Sequence, residues 1–127
     1  MKHLKKKNEF KFKGSSWKIL DTFPKPQNTF EVGLTSTEVT SLCPLTSQPD
    51  YHTVEIRYYP EKVCVESKSL KLYLGSFRME GCFTETLSSR IAEDLFEVLN
   101  CYVVVTVTSV SRGGISIKSI SDKGGIS

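Results

Sequence analysis

A cysteine and an aspartate stand seven residues apart in the stretch TSLCPLTSQPD, residues 40–50. Cys43 lies among hydroxyl side chains, glutamine and prolines, whereas a structural cysteine usually lies in an apolar run. A thiolate is a good nucleophile, and a nearby carboxyl group can exchange a proton with a substrate nitrogen. Pro44 and Pro49 stiffen the segment, so the side chains of Cys43 and Asp50 could share one pocket wall. These residues alone leave four roles open for Cys43: nucleophile, metal ligand, half of a disulfide, or filler.

The other cysteines do not suggest a disulfide framework or a metal site. The chain has four cysteines, Cys43, Cys64, Cys82 and Cys101. No C-x-x-C pair occurs and the histidines are His3 and His52, so we predict no zinc or other metal site. Cys64 and Cys101 stand in strand-like apolar surroundings and are predicted to be small core residues. The basic start is not followed by an apolar signal region, so the expected location is the cytoplasm, where thiols stay reduced.

Length and composition predict one ordinary globular domain. The chain has 127 residues, of which 39% are hydrophobic and 24% charged, and its longest apolar run is too short and too rich in threonine to span a bilayer. The formal net charge is +3, and the lysine excess lies in residues 1–13. We therefore expect a flexible basic tail over residues 1–14 and a single domain over 15–127. The tail either aids solubility or contacts phosphate groups.

The pattern of apolar residues predicts strands on either side of two helices. Residues 15–27 look like an amphipathic lead-in that ends in a Pro-Lys-Pro linker, and apolar and polar residues alternate over 28–36 and 52–59. Residues 62–66 are predicted to return as the hairpin partner of 52–59, across the turn YPEK. A last hairpin is expected from residues 101–110 and 114–120.

Two helices are predicted between these strands. Residues 67–77 place Leu70, Tyr73, Leu74 and Phe77 on one face, and residues 84–100 place Leu87, Ile91, Leu95 and Val98 on one stripe. Thr84 is the expected N-cap of the second helix, and Lys68, Lys71 and Arg78 are expected to point together from the first. The element order predicts an α+β domain, with helices packed on one face of an antiparallel sheet.

Four segments in order resemble the 7-cyano-7-deazaguanine reductases, the QueF family of nitrile reductases. They are TSLCPLTSQPD, VESKSLKLYLGSFR, GCFTE and RGGISI, and the resemblance runs from Thr40 to Ile117, with a weaker match in ILDTFPKP. The segment ESKSLKLY is similar to the signature that separates these reductases from other members of the tunnelling-fold superfamily. The resemblance thus implies a tunnelling fold (T-fold), an α+β unit that assembles into an oligomeric barrel.

The resemblance also implies a reaction for the cysteine and the aspartate. Cys43 matches the nucleophile that adds to the nitrile carbon of the deazaguanine base and forms a thioimide. Asp50 matches the proton donor. Two hydride transfers from NADPH then give the aminomethyl product, a precursor of queuosine in tRNA.

Further residues are assigned by the same resemblance. Glu85 matches the glutamate that recognises the guanine-like edge of the base, although an acid at a helix N-terminus also has a purely structural role. Residues Val65, Glu66 and Ser67 match the lining of the same pocket, and Thr84 stands where the family has a histidine. Residues Lys68, Lys71 and Arg112 match basic positions used toward NADPH phosphates, while exposed lysines on a helix are often only solvated.

The alternatives differ in chemistry and in partner. A QueF-like amidinotransferase would use ammonia on the nitrile base in tRNA to form archaeosine, and the basic tail suits tRNA. The intact ESKSLKLY signature favours the reductase. A third reading is a purine-binding protein that captures the base on Cys43 without reducing it. Two stacked pentamers with active sites between subunits are the assembly that the resemblance implies.

Overall fold

The structure, a computed structural model, describes residues 12–125. Its elements are strands β1 (Thr22–Pro24), β2 (Val32–Leu42), β3 (Pro49–Tyr58) and β4 (Val63–Val65), helices α1 (Ser67–Gly75) and α2 (Thr84–Leu99), and strands β5 (Val103–Arg112) and β6 (Ile115–Lys123). Short 3-10 helices cover Trp17–Ile19 and Ser76–Met79. This order confirms the predicted α+β class. No helix in the described part of the chain is long and apolar enough to cross a membrane.

The main sheet is antiparallel, with the strand order β2-β3-β5-β6. Its register places Ser41 opposite Asp50 and His52 opposite Ser109. The last residues of β2 and β5 and the first residues of β3 therefore lie at one end of the sheet, which we call the turn end. Tyr58 pairs with Val32 and Val103 at the opposite end, which we call the far end.

The predicted hairpin between residues 52–59 and 62–66 is wrong. Strand β3 is hydrogen-bonded on one side to β2 and on the other to β5, so it has no free edge. Strand β4 instead pairs antiparallel with β1, with Val65 opposite Thr22. Its link to β3 is a side-chain contact, because the Val65 N–H donates to the Tyr58 hydroxyl at 3.0 Å. Alternation predicted the strands, but alternation does not say which strands pair.

Two further strand boundaries differ from the prediction. The first strand of the sheet is Val32–Leu42 rather than 28–36, and it bulges between Ser36 and Val39. Residues 15–27 form the short 3-10 helix and strand β1 rather than an amphipathic segment. The longer strand matters for the site, because β2 leads directly to Cys43.

Both helices pack their apolar residues against the sheet, as predicted. Leu70, Tyr73, Leu74 and Phe77 are buried, although α1 ends at Gly75 and Phe77 belongs to the following 3-10 helix. On α2, residues Leu87, Ile91 and Leu95 are fully buried and Val98 is partly buried. They meet the inward residues Val54, Ile56, Val103, Val105 and Val107 of β3 and β5. Each such side chain stabilises the fold by about 1.5–3 kcal/mol, so this layer holds the start of α2 in place.

One buried carboxylate attaches the N-terminal segment to the domain. Glu80 accepts hydrogen bonds from the backbone N–H groups of Lys13, Gly14 and Ser15 at 2.7–2.9 Å, and from the Ser15 hydroxyl at 3.0 Å. Burial raises the pKa of Glu80, but these donors together outweigh it and the pKa is lowered. Arg90 adds a bond to the Ser15 carbonyl. The predicted basic tail, up to residue 11, lies outside the described residues.

Candidate active site

A tight turn of residues 43–48 connects β2 to β3 and carries Cys43. The Cys43 N–H donates to the Gln48 carbonyl at 2.8 Å, and the Ser47 N–H donates to the Cys43 carbonyl at 2.9 Å. Ser47 has a left-handed backbone with φ 61°, which closes the turn. Cys43 is half-buried, whereas Cys64, Cys82 and Cys101 are buried, and all four thiols are free. The burial of Cys64 and Cys101 confirms that they are core residues.

The turn favours the thiolate form of Cys43 without a histidine base. The Thr46 hydroxyl hydrogen-bonds the sulfur and is the main cause of a lowered pKa for Cys43. Burial raises this pKa, the backbone N–H groups of Leu45 and Thr46 lower it, and the charge of Asp50 raises it slightly. The Thr46 oxygen itself accepts from the Gln48 N–H at 3.3 Å, which leaves its hydrogen for the sulfur. Sequence reasoning missed Thr46, although a hydroxyl residue three positions after a cysteine in a Pro-containing turn is a usable signal.

Asp50 lies at the same end of the sheet as Cys43. It is the second residue of β3 rather than part of a loop, and it sits opposite Ser41, two residues before Cys43. Its charge acts on Cys43, on Cys82 and on His52. The structure thus brings the cysteine and the aspartate together at the turn end, through strand pairing rather than through the stiffness of the prolines.

The segment that leads into α2 forms a second side of this region. The Leu42 N–H donates to the Glu80 carbonyl at 2.9 Å, and the Cys82 N–H donates to the Leu42 carbonyl at 3.1 Å. These bonds fix the segment beside Cys43, and α2 starts two residues later. Glu85 lies exposed in the first turn of α2, where a carboxylate also complements the helix dipole.

Thr84 is not the N-cap that the sequence predicts. Phe83 occupies the cap position and offers no side-chain hydrogen bond there. The Thr84 hydroxyl instead lies 2.7 Å from the Ser109 hydroxyl, which lies 2.7 Å from Nδ1 of His52. Sequence reasoning missed His52 and Ser109, yet His52 occupies an inward position in the alternation of β3, and that position indicates burial.

The predicted pocket residues Val65, Glu66 and Ser67 lie at the end of β4 and the start of α1. Val65 contacts Tyr58 at the far end, and Glu66 and Ser67 follow it. Tyr58 is eight positions along β3 from Asp50, which is about 26 Å at roughly 3.3 Å per residue. Glu66 caps α1 by accepting from the N–H groups of residues 68 and 69, and these bonds lower its pKa. Ser67 lies beside the middle of the sheet, since it lines a cavity of about 370 Å³ together with Lys71 and with Val39 and Val54 of the sheet.

The structure does not bring together all of the basic side chains that were predicted to bind the cofactor. Lys71 and Arg78 line a depression of about 560 Å³ together with Lys13, whereas Lys68 is exposed nearer the start of α1 and does not line it. Arg112 is the last residue of β5, at the turn end, and its side chain lies outside the described residues. Clustered cations such as those of the depression fit phosphate groups. Within residues 12–125, no group of three or more His, Cys, Asp or Glu side chains is placed to hold a metal ion.

The fold and the site define an antiparallel α+β domain with a half-buried cysteine and an aspartate at one end of its sheet. Residues 49–125 match the model of the QueF-like protein family, and the chain belongs to that family. The resemblance found in the sequence is thereby confirmed.

Three relatives illustrate the match. The chain is 48% identical over 99 residues to an NADPH-dependent 7-cyano-7-deazaguanine reductase of Anaeromyxobacter sp. (strain K), covering 76% of this chain and 81% of that protein. It is 44% identical over 121 residues to the reductase of the same name from Helicobacter pylori (strain Shi470), covering 93% and 82%. A crystal structure of the archaeosine synthase QueF-Like in the apo form superposes with a TM-score of 0.73 and 25% identity, over 81% of this chain and 99% of that one.

Proposed function

We propose that this protein is an NADPH-dependent 7-cyano-7-deazaguanine reductase, which reduces the nitrile of the base to an aminomethyl group for queuosine biosynthesis. Relatives that carry this name are 42–48% identical to the chain. The observation that carries the proposal is the Cys43 turn, in which the Thr46 hydroxyl and two backbone N–H groups favour a thiolate beside Asp50.

The first step follows from the chemistry of these two residues. The Cys43 thiolate adds to the nitrile carbon while Asp50 gives a proton to the nitrile nitrogen, and the product is a neutral thioimide bound to Cys43. A carbon–sulfur bond forms, one π bond of the nitrile breaks, and Asp50 becomes a carboxylate. The same stabilisation of the thiolate later makes Cys43 a good leaving group.

Recognition of the base falls to Glu85 under this proposal. Its carboxylate would accept the ring N–H and the amino group of the guanine-like edge in a bidentate pair. Val65, Glu66 and Ser67 would complete the same pocket, and within its own chain Val65 contacts the hydroxyl of Tyr58, the residue at the far end of β3. We therefore propose that they come from a second subunit, in an oligomer of stacked pentamers. The edge strand β6 is exposed along most of its length, which supports pairing with another copy.

When bound, NADPH would supply the hydrides of the reduction, one from each of two successive cofactor molecules. Lys68, Lys71 and Arg112 are the proposed phosphate contacts, and Arg78 joins Lys71 in the depression described above. The cations neutralise and orient the phosphate groups, and the turn end holds the thioimide. The expectation of a cytoplasmic location stays a prediction.

Mass spectrometry and nicotinamide absorbance test this proposal together. Incubation with the nitrile base alone should add one base mass per subunit at Cys43, and Cys43→Ala should abolish the adduct. Cys64→Ala is the control and should keep it, since that thiol is buried. NADPH should then be oxidised in the presence of free base. An adduct on another cysteine, or no oxidation, would contradict the proposal.

The superposition with an archaeosine synthase supports a second candidate. In that case the same Cys43 adduct would form on the base in tRNA and ammonia would displace the thiol. The assay distinguishes the two, because this candidate incorporates ammonia into tRNA and leaves NADPH unchanged.

A further inference from the structure

A chain of buried polar side chains crosses the sheet behind the candidate site. His52 Nε2 lies 2.8 Å from the Ser41 hydroxyl, and His52 Nδ1 lies 2.7 Å from the Ser109 hydroxyl. The Ser109 hydroxyl lies 2.7 Å from that of Thr84. The imidazole is 3% exposed and Thr84 is 8% exposed. Three neighbouring strands and the first residue of α2 are thus joined by side chains alone.

The hydrogen bonds of this series, Ser41–His52–Ser109–Thr84, can run in either of two directions, and the tautomer of His52 decides which. A hydroxyl group donates one hydrogen, and a neutral imidazole donates from one nitrogen and accepts at the other. If Nδ1 of His52 carries a hydrogen, Ser109 must accept it and donates in turn to Thr84, so the Thr84 hydrogen points away from Ser109. If Nδ1 is bare, Ser109 donates to the ring and Thr84 donates to Ser109. The position of one proton on the ring therefore decides the role of the Thr84 hydroxyl.

The two ends of the hydrogen-bond series, Thr84 and Ser41, lie next to the two parts of the candidate site. Thr84 directly precedes Glu85, and at the other end Ser41 lies opposite Asp50 in the sheet. Burial is the larger influence on His52 and lowers its pKa, and Asp50, from the ring's own strand, raises that pKa when it is a carboxylate. The groups that meet the ring from β2 and β5 are the hydroxyls of Ser41 and Ser109.

One more titratable group is hydrogen-bonded to this series of side chains. Cys82, from the segment before α2, hydrogen-bonds the Ser41 hydroxyl, and burial raises the pKa of its thiol to about 11. That thiol stays protonated at neutral pH and adds no charge to the chain. The carboxylate that Asp50 becomes on giving up its proton is thus the change to which His52 can respond.

We propose that His52 is a positioning residue of this site, which acts through Ser109 to set whether the hydroxyl of Thr84 donates or accepts a hydrogen bond beside Glu85. When Asp50 loses its proton to the substrate, the new negative charge favours the imidazolium form of His52, which takes its second proton from solvent water. Both ring nitrogens then carry hydrogen, so Ser109 accepts from Nδ1 and donates to Thr84, and Thr84 donates toward the bound intermediate. This inference rests on the proposed function, because it takes the base to lie against Glu85.

Nuclear magnetic resonance of the ring nitrogens tests the coupling directly. The chain has two histidines, His3 and His52, so a ¹⁵N-histidine spectrum holds two rings. Addition of the nitrile base without NADPH should shift the His52 ring signals toward the Nδ1-protonated form. Thr84→Val and Ser109→Ala should each change the tautomer of the free protein, and Thr84→Ser should retain the wild-type signals.

Single-turnover reduction gives the functional readout. Thr84→Val and Ser109→Ala should each slow reduction about tenfold, the effect of one hydrogen bond, with little change in affinity for the base. The double variant should be no slower than either single one, because both break the same chain. The control is Ser119→Ala, which removes a strand serine bonded to Ser88 of α2 at 2.8 Å in a separate hydroxyl cluster. It should keep the wild-type rate.

The outcomes separate the two proposals. A wild-type protein that forms no adduct overturns the proposed function and this inference with it. Normal wild-type turnover, with Ser109→Ala as fast as Ser119→Ala or with His52 signals indifferent to the adduct, overturns this inference alone.

Discussion

Replacing Thr46 by valine should reduce the reactivity of Cys43 while leaving the fold unchanged. Valine keeps the shape of threonine but removes the hydroxyl that hydrogen-bonds the sulfur, which is the main cause of the lowered pKa of Cys43. Thr46 is exposed at the surface of the turn, so the substitution adds no strain to the core. The hydrogen bond stabilises the thiolate, and its loss therefore raises the pKa of Cys43.

The size of the effect follows from the strength of a hydrogen bond to a charged group, about 1.5–3 kcal/mol. The turn is open to solvent, and water replaces part of the lost bond, so the lower end applies. About 1.4 kcal/mol corresponds to a tenfold change in the thiolate fraction at neutral pH. We expect the rate of alkylation of Cys43 by iodoacetamide to fall about tenfold at neutral pH, and to recover in alkaline solution where the thiol ionises in both proteins.

The assay has internal controls in the chain. The remaining three cysteines are buried, so rapid alkylation reports on Cys43, and Cys43→Ala supplies the background rate. Thr46→Ser keeps the hydroxyl and should react at close to the wild-type rate. Equal alkylation rates for wild type and Thr46→Val across the pH range would refute the assignment of Thr46.

Two further predictions concern the carboxyl groups of Asp50 and Glu80. Asp50→Asn should slow adduct formation with the nitrile base about 10²–10⁴-fold, measured by quenched mass spectrometry, and an unchanged rate would remove Asp50 from the mechanism. Glu80→Gln should lower the free energy of unfolding by about 2 kcal/mol at neutral pH, measured with urea, because an amide cannot replace all the charge-assisted bonds to residues 13–15. Since the folded pKa of Glu80 is lowered, its stabilising contribution is complete above the ordinary glutamate pKa and is lost as the pH falls through the folded pKa. The two proteins should therefore converge in stability in acid, and a constant difference would contradict the role of the charge.

The structure changes the interpretation of Thr84. From the sequence, this residue stands where the family has a histidine, and a hydroxyl group does not titrate near neutral pH. In the fold, two hydrogen bonds connect the same hydroxyl to the imidazole of His52. A titratable ring is thus available to position 84 from a neighbouring strand, and no local pattern around Thr84 could indicate it.

The sequence by itself determined the elements and much of the chemistry. Helices and inward-facing residues follow from periods of 3.6 and 2, which depend on near neighbours in the chain. The Cys43 and Asp50 pair was predictable for a similar reason, since the two residues flank one short turn. The family match came from the same short segments, each of which is local in the sequence.

Only the tertiary structure decided which distant residues meet. Strand β3 has no free edge and β4 pairs with β1, which places the Val65 N–H against the Tyr58 hydroxyl. The hydrogen bonds of Ser109 to His52 and to Thr84 depend on the register of β3 with β5 and on where α2 packs on the sheet, which bring together residues far apart in sequence. Pairing and register are set by the packing of the whole core, and many pairings satisfy the same local pattern. The bond from Thr46 to the sulfur likewise depends on the closed turn, in which the Thr46 oxygen accepts from the Gln48 N–H while its hydroxyl donates to Cys43.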